Sequence, residues 1–242
     1  MPRLLAPLLL FVTACTSATP PPNSNTATTR SAARLPAEVV PTHYALDLTL
    51  VPTDDQLSGQ VVIDVEVKSN RQELLINAQD ITPGVVTVES GGKVMAAKWQ
   101  ETEEGGVVKL LPEGEVVAGP AHISITFTAP WTAGLRGCYK VEDAGDAYIY
   151  TQFETSAARS CFPSFDEPAF KTPWDIQLTI PTGQVGVSNS LEVARKELAG
   201  GLTQLTFAPT RPLPTYLIAF AVGPMDVVEA PAVPPTPQRS TP

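Results

Sequence analysis

The sequence predicts an all-β domain of packed sheets, a sandwich or a saddle, over residues 35–229. Three observations predict it. Short runs alternate apolar and polar residues with a period of two. Turn signals built on Gly and Pro separate those runs at regular intervals. No stretch keeps the apolar spacing of a helix beyond a turn or two at Thr155 to Ser160.

Tyr44, Leu46, Leu48 and Leu50 alternate with Ala45, Asp47 and Thr49, and Val61, Ile63, Val65 and Val67 alternate with Val62, Asp64, Glu66 and Lys68. Each run reads as a strand with one buried and one wet face. Pro52 to Gly59 is a turn-rich connector between them. Glu89-Ser90-Gly91-Gly92-Lys93 is a hairpin signal, and Gly105-Gly106 marks another between Trp99 and Val107. Ile123, Ile125 and Phe127 form the apolar side of a strand that Pro130 stops. Trp174, Ile176, Leu178 and Ile180 form one more, stopped by Pro181. Tyr216 to Val222 is apolar on both faces, as expected of a central strand.

The chain has 242 residues, 43% apolar and 17% charged, enough for a sizeable core in one domain or two small ones. Its net charge of −9 argues against a nucleic-acid partner, which requires basic patches. It permits a cationic ligand without requiring one.

Residues 1–14 read as an export signal. Arg3 supplies the charge, and Leu4 to Val12 supply an apolar run too short to span a bilayer. Val12-Thr13-Ala14-Cys15 resembles a bacterial lipobox, in which Cys15 is diacylated and becomes the new amino terminus; cleavage after Ala14 or Ala18 is the alternative. Residues 15–34 are rich in Pro, Thr and Ser and suit a flexible tether. The expected location is the periplasmic side of a bacterial membrane, held by lipid alone. With Cys15 taken, Cys138 and Cys161 are left as a candidate disulfide in an oxidising compartment, or as two separate buried thiols. Residues 230–242 read as a proline-rich linker, truncated before any catalytic domain.

The chemistry concentrates between Tyr148 and Pro181. Period two places Tyr148, Tyr150, Gln152 and Glu154 on one strand face and Ile149, Thr151 and Phe153 on the other. Gln152 and Glu154 then point the same way, roughly 6.5–7 Å apart. An amide and a carboxylate on an aromatic-flanked face suit a cationic amine; a solvated polar face is the alternative. Asp166 and Glu167, followed by Pro168, read as turn formers, because adjacent residues of an extended chain point apart. Arg159 is placed to pair with Asp166 across that turn. The two histidines, His43 and His122, are 79 residues apart in separate strands and cannot form a helical ligand pair. His122 alternates with Ser124 and Thr126 and is expected to face solvent. Neither is expected to bind metal. Ser156, Ser160 and Ser164 have no neighbouring His in sequence to act as base.

TQFE at 151–154, AR at 158–159, FPSFDEPAFK at 162–171 and WDIQLTIP at 174–181 resemble the amino-terminal domain of the M1 (gluzincin) zinc aminopeptidases. LPAEVVPTHYALDLTL, GLRGCYK, SNS and PLPTYLIAFAVG extend the resemblance across residues 35–229. Ser164 and Ala157 depart from the commoner Cys and Asp. The resemblance implies a twisted two-sheet β domain. It also implies that Gln152 and Glu154 face an active site, where they hold the peptide's free α-amine and shape the first side-chain pocket. The family holds its zinc with an HExxH helix and a later Glu and reads the amine partly with a GxMEN loop; neither pattern occurs here. No cofactor is therefore expected in this chain, and zinc is expected in the catalytic domain of the full-length enzyme. The expected partners are a peptide amino terminus, bound weakly by this chain alone, and a catalytic domain missing from it. The alternative is a stand-alone, lipid-anchored β module that binds peptide or protein without catalysis.

Overall fold

The computed structural model describes residues 34–103 and 105–228. The segments read as signal and linker, most of the tether, and Cys15 lie outside the described residues. The strands, in chain order, are β1 (Val39–Thr49), β2 (Gln56–Val67), β3 (Leu74–Asn77), β4 (Thr82–Ser90), β5 (Lys93–Glu101), β6 (Val107–Pro112), β7 (Gly119–Pro130), β8 (Gly137–Asp143), β9 (Asp146–Gln152), β10 (Trp174–Pro181), β11 (Val185–Ser188), β12 (Glu192–Leu198), β13 (Leu202–Phe207) and β14 (Phe220–Gly223). The described helical pieces are two 3-10 turns, Ala158–Ser160 and Thr215–Leu217.

Two sheets result, as the sequence predicts. The large one has the order β12-β13-β10-β1-β2-β7-β4-β5-β6-β3, and the small one β11-β14-β9-β8. β1 and β10 run parallel, with Tyr44 opposite Trp174. The other described pairs are antiparallel. β2 and β7 are in register along their whole length, from Gln56 opposite Pro130 to Val67 opposite Gly119. The alternation read from the sequence sets the faces. Tyr44, Leu46, Leu48, Val61, Ile63, Ile123, Ile125, Trp174, Ile176 and Leu178 are buried, while Asp47, Thr49, Ser124 and Thr126 lie on the wetter side. One hydrophobic cluster takes in the inner residues of both sheets. A run of rings joins them. Tyr44 stacks on Trp174 at 3.9 Å, Trp174 meets Phe162 at 5.7 Å, Phe162 meets Phe153 edge-on at 5.7 Å, and Phe153 meets Phe220 at 6.2 Å. Such tilted and offset geometries suit the ring quadrupoles and add to the area buried.

Gly91 and Gly92, at φ +58 and +75, make the two-residue turn between β4 and β5. Both central residues of that turn need positive φ, which glycine adopts without a Cβ clash.

Three boundaries differ from the alternation. β2 starts at Gln56, inside the expected connector, because Asp54 N–H closes a turn on the Val51 carbonyl at 3.0 Å and the chain is extended soon after. The strand expected through Glu154 stops at Gln152. The one expected from Tyr216 starts only at Phe220, because Thr215–Leu217 coil into a 3-10 turn after Pro214. β14 is nevertheless interior, between β11 and β9.

Candidate functional site

β9 has a neighbour on each side. Tyr150 is opposite Ala221 of β14 and Tyr139 of β8, and Gln152 is opposite Gly137. Its inner residue Ile149 is buried, so Tyr148, Tyr150 and Gln152 share the other face. Tyr148 and Tyr150 lie nearly parallel with centroids 6.3 Å apart, and Tyr139 lies 6.2 Å from Tyr150. A Cβ at Gly223 would run into the Tyr148 ring, so glycine makes room for the tyrosine row. At the end of this row the chain leaves the sheet. Phe153 turns inward and is buried, and Ala157 N–H returns to the Phe153 carbonyl at 2.8 Å. Glu154 therefore lies on a turn and not on the strand as the sequence suggested, one step beyond Gln152 with a buried ring between them. Both side chains are exposed, and neither has a hydrogen-bond or ion-pair partner among the described residues. The arrangement offers an amide and a carboxylate, beside an aromatic strip, to an external donor.

What holds this turn is a buried polar hub. Arg159 Nε donates to Asp166 Oδ2 at 2.9 Å, and Arg159 Nη2 donates to the Asp166 carbonyl at 2.9 Å. The two side chains are 7% and 1% exposed, so this pair lies in the interior. Thr215 Oγ1 donates to Asp166 Oδ1 at 2.5 Å, and Asp166 N–H donates to Asn77 Oδ1 at 2.9 Å. Asn77 Nδ2 donates to the Gly106 carbonyl at 3.1 Å, and Phe165 N–H donates to Tyr44 Oη at 2.9 Å. Burial pushes the Tyr44 hydroxyl far above its ordinary range, so it stays neutral. Asp166 is thus a core carboxylate, paired with Arg159 across the turn. Glu167 differs: it is only half-buried and accepts from the Leu35 N–H. Asn77 and Thr215 were not singled out in the sequence, and Tyr44 only as a strand residue. The one available signal was a polar residue closing the apolar run Leu74–Ile76.

The remaining sequence candidates fall elsewhere. His43 and His122 are brought together: His122 Nδ1 is 2.7 Å from Asp64 Oδ1, His43 Nδ1 is 3.6 Å from Asp64 Oδ2, and His43 Nε2 is 3.1 Å from Asp175 Oδ2. His122 is half-exposed, as expected, but it has a carboxylate partner. Among the described residues no three His, Cys, Asp or Glu side chains are arranged to hold a metal ion. The described residues therefore do not supply the ligands of the zinc centre that the resemblance implies for a full-length enzyme. Cys138 and Cys161 are both buried, each as a free thiol. An open hollow of about 640 Å³ lies on the outer face of the large sheet, lined by Asp47, Thr49, Gln60, Thr126, Thr128 and Thr179. Burial raises the Asp47 carboxyl above its ordinary range. Neither Gln152 nor Glu154 lines that hollow.

Arg159→Met should unfold about 3–5 kcal/mol more easily in urea, because it leaves the Asp166 carboxylate buried without its cation. Arg159→Met/Asp166→Leu should regain part of that loss, since an apolar pair of similar volume carries no desolvation cost. A single variant within about 0.5 kcal/mol of the parent would show that the pair does not hold the turn.

The comparisons with known proteins agree with the fold. The family model for the peptidase M1 N-terminal domain matches residues 40–217. Aminopeptidase M1-A of Oryza sativa subsp. japonica is 33% identical over 218 residues, which are 83% of this chain and 24% of the relative. Aminopeptidase M1-D of the same plant is 30% identical over 204 residues, 83% of this chain and 23% of the relative. Aminopeptidase N of Acetobacter pasteurianus is 29% identical over 209 residues, 84% of this chain and 58% of the relative. The chain thus spans about a quarter of the plant relatives' length. With the motif match, the two-sheet fold and the matched segment in agreement, the chain belongs to the M1 peptidase family through its N-terminal domain.

Proposed function

We propose that this chain is the substrate-collar domain of an M1 zinc aminopeptidase: Gln152 and Glu154 receive the free α-amine of a peptide and help shape the pocket for its first side chain. The observation that carries this reading is the unpartnered amide and carboxylate at the end of the tyrosine row. Hydrolysis belongs, in this reading, to a zinc-bearing catalytic domain, on the same polypeptide or on a separate one.

Energetics explains why a second wall is needed. An exposed carboxylate gains about 0–1 kcal/mol from an ion pair, and an amide contact adds ~1 kcal/mol. Their sum falls short of the roughly 4 kcal/mol that millimolar affinity requires, before the cost of immobilising the peptide. A facing domain that excludes water raises the value of both contacts, because the same charges interact more strongly at lower dielectric.

Calorimetric titration of the isolated chain with a short peptide should therefore show no saturable binding below the millimolar range. In a polypeptide that joins the chain to an M1 zinc domain, Glu154→Ala should lower kcat/KM about 10- to 100-fold for free-amine substrates, the loss of one charge-assisted contact. Micromolar binding to the isolated chain, abolished by acetylating the peptide and by Glu154→Ala, would instead identify a complete, stand-alone binding module.

We also infer, from the run Leu4 to Val12 and the Val12-Thr13-Ala14-Cys15 pattern, that the chain is exported and anchored through lipid on Cys15. A diacyl anchor holds stably where one chain binds only marginally. Cell fractionation of Cys15→Ser should move the protein from the membrane pellet to the soluble fraction; retention in the pellet would refute the anchor.

A further inference from the structure

The hollow on the outer face of the large sheet has a floor set by strand register. Asp47 of β1 is opposite Gln60 of β2, and Gln60 is opposite Thr126 of β7. Two residues along, Thr49 is opposite Ser58, Ser58 is opposite Thr128, and Thr128 is opposite Thr82 of β4. Directly opposed side chains share a face at about 5 Å, and the two rows lie roughly 7 Å apart along the strands. The floor is therefore made of hydroxyls, one amide and one carboxylate. At one rim β4 bulges between Pro83 and Val86, and Val85 N–H donates to Thr126 Oγ1 at 2.8 Å. A Cβ at Gly84 would lie 2.5 Å from that hydroxyl, so glycine permits the approach. At the other rim stand Leu198 and Leu202, opposed on β12 and β13. The volume of about 640 Å³ falls within the roughly 300–1,000 Å³ of small-molecule sites.

Asp47 lacks a cation. It is half-buried, it has no hydrogen-bond or ion-pair partner among the described residues, and no described residue lining the hollow is basic. Asp64 and Asp175 on the same face differ, since both meet imidazoles. Burial alone raises the Asp47 carboxyl above its ordinary range, as expected of a charge that has lost water without acquiring a partner. The groups around it are open as well. The hydroxyls of Thr49, Ser58 and Thr128 bond no described residue. Gln60 Nε2 donates to Ser124 Oγ at 3.0 Å, which leaves the Gln60 side-chain carbonyl free to accept. We propose that this hollow binds a small polyhydroxylated primary amine, of the amino-sugar class: its ammonium pairs with Asp47, and its hydroxyls bond Thr49, Ser58, Thr128 and the Gln60 carbonyl. A cation restores to Asp47 the stabilisation lost with its water, and the pairing is stronger where water is partly excluded. A hydroxyl both donates and accepts, so a hydroxyl floor matches a polyol better than a bare alkyl cation. Leu198, Leu202 and Pro83 offer apolar surface to the C–H groups of a sugar ring. The inference does not depend on the role of Gln152 and Glu154, which do not line the hollow.

The test titrates the full chain with glucosamine by NMR, slightly below neutral pH, where the amine is charged. Glucosamine should shift the amides of Asp47, Thr49, Gln60 and Thr128 saturably in the millimolar range. Glucose and N-acetylglucosamine, which lack the ammonium, should bind at least about 10-fold more weakly. n-Butylammonium, which lacks the hydroxyls, should bind at least about 5-fold more weakly. Asp47→Asn should reduce glucosamine to the level of glucose, and Thr128→Val, on a different strand, should weaken it about 3- to 10-fold. The comparison of ligands on the unaltered chain stands whether or not either variant folds. No saturable shift into the tens of millimolar, shifts at Gln152 and Glu154 in place of the hollow, or glucosamine binding unchanged by Asp47→Asn would overturn the site. Equal affinity for n-butylammonium would overturn the amino-sugar class.

Discussion

The structure depends on one buried carboxylate. Asp166 sits in the core with its charge, and a charge out of water is tolerated only when its partners are in place and stay there. Arg159 and Thr215 supply those partners, from the turn after β9 and the turn before β14, and Asn77 at the end of β3 accepts from the Asp166 main-chain N–H beside it. Tyr44 of β1 adds the bond to Phe165 beside it. Elements that are distant in sequence therefore have to meet at one point. The backbone between Phe153 and Phe165 runs through that point, so its path is determined from both sides.

This fixed path accounts for the form of the candidate site. β9 is held in the middle of the small sheet, and Phe153 is locked between Phe162 and Phe220. Gln152 and Glu154 are then the outward groups on either side of a buried anchor. They are presented on a rigid base but face open solvent, where charge contacts are weak. An exposed pair on a rigid support fits a wall of a site better than a complete site. That suits the role proposed for a chain whose family match is to the M1 N-terminal domain.

Much of the fold was legible because β1, β2, β7 and β10 each bury one face, and burial writes a period of two into the sequence. β12 left no such trace, since its residues are nearly all exposed. The end of β9 was not legible either, because the apolar position of Phe153 continues the alternation even though the backbone has already turned. Of the two histidines, only His122 was assigned to a face, the wet one. Their meeting at Asp64 follows only from the register that sets His43 and His122 opposite Asp64 on the neighbouring strands, and pairing partners are not encoded in any single strand. The hub was half legible: the short Arg159 to Asp166 separation suggested the pair, whereas Asn77 and Thr215 arrive from 89 and 49 residues away.

Native-state hydrogen exchange tests this account most directly. The amides of Asn77, Ser164 and Asp166 are bonded within or beside the hub. If Asp166 organises the fold, they exchange only through global unfolding, with the same free energy as the most protected strand amides of β2 and β7. If they exchange through a local opening of the segment from Phe153 to Phe165, several kcal/mol below the global value, then the hub follows from the fold and does not support the Gln152 and Glu154 turn.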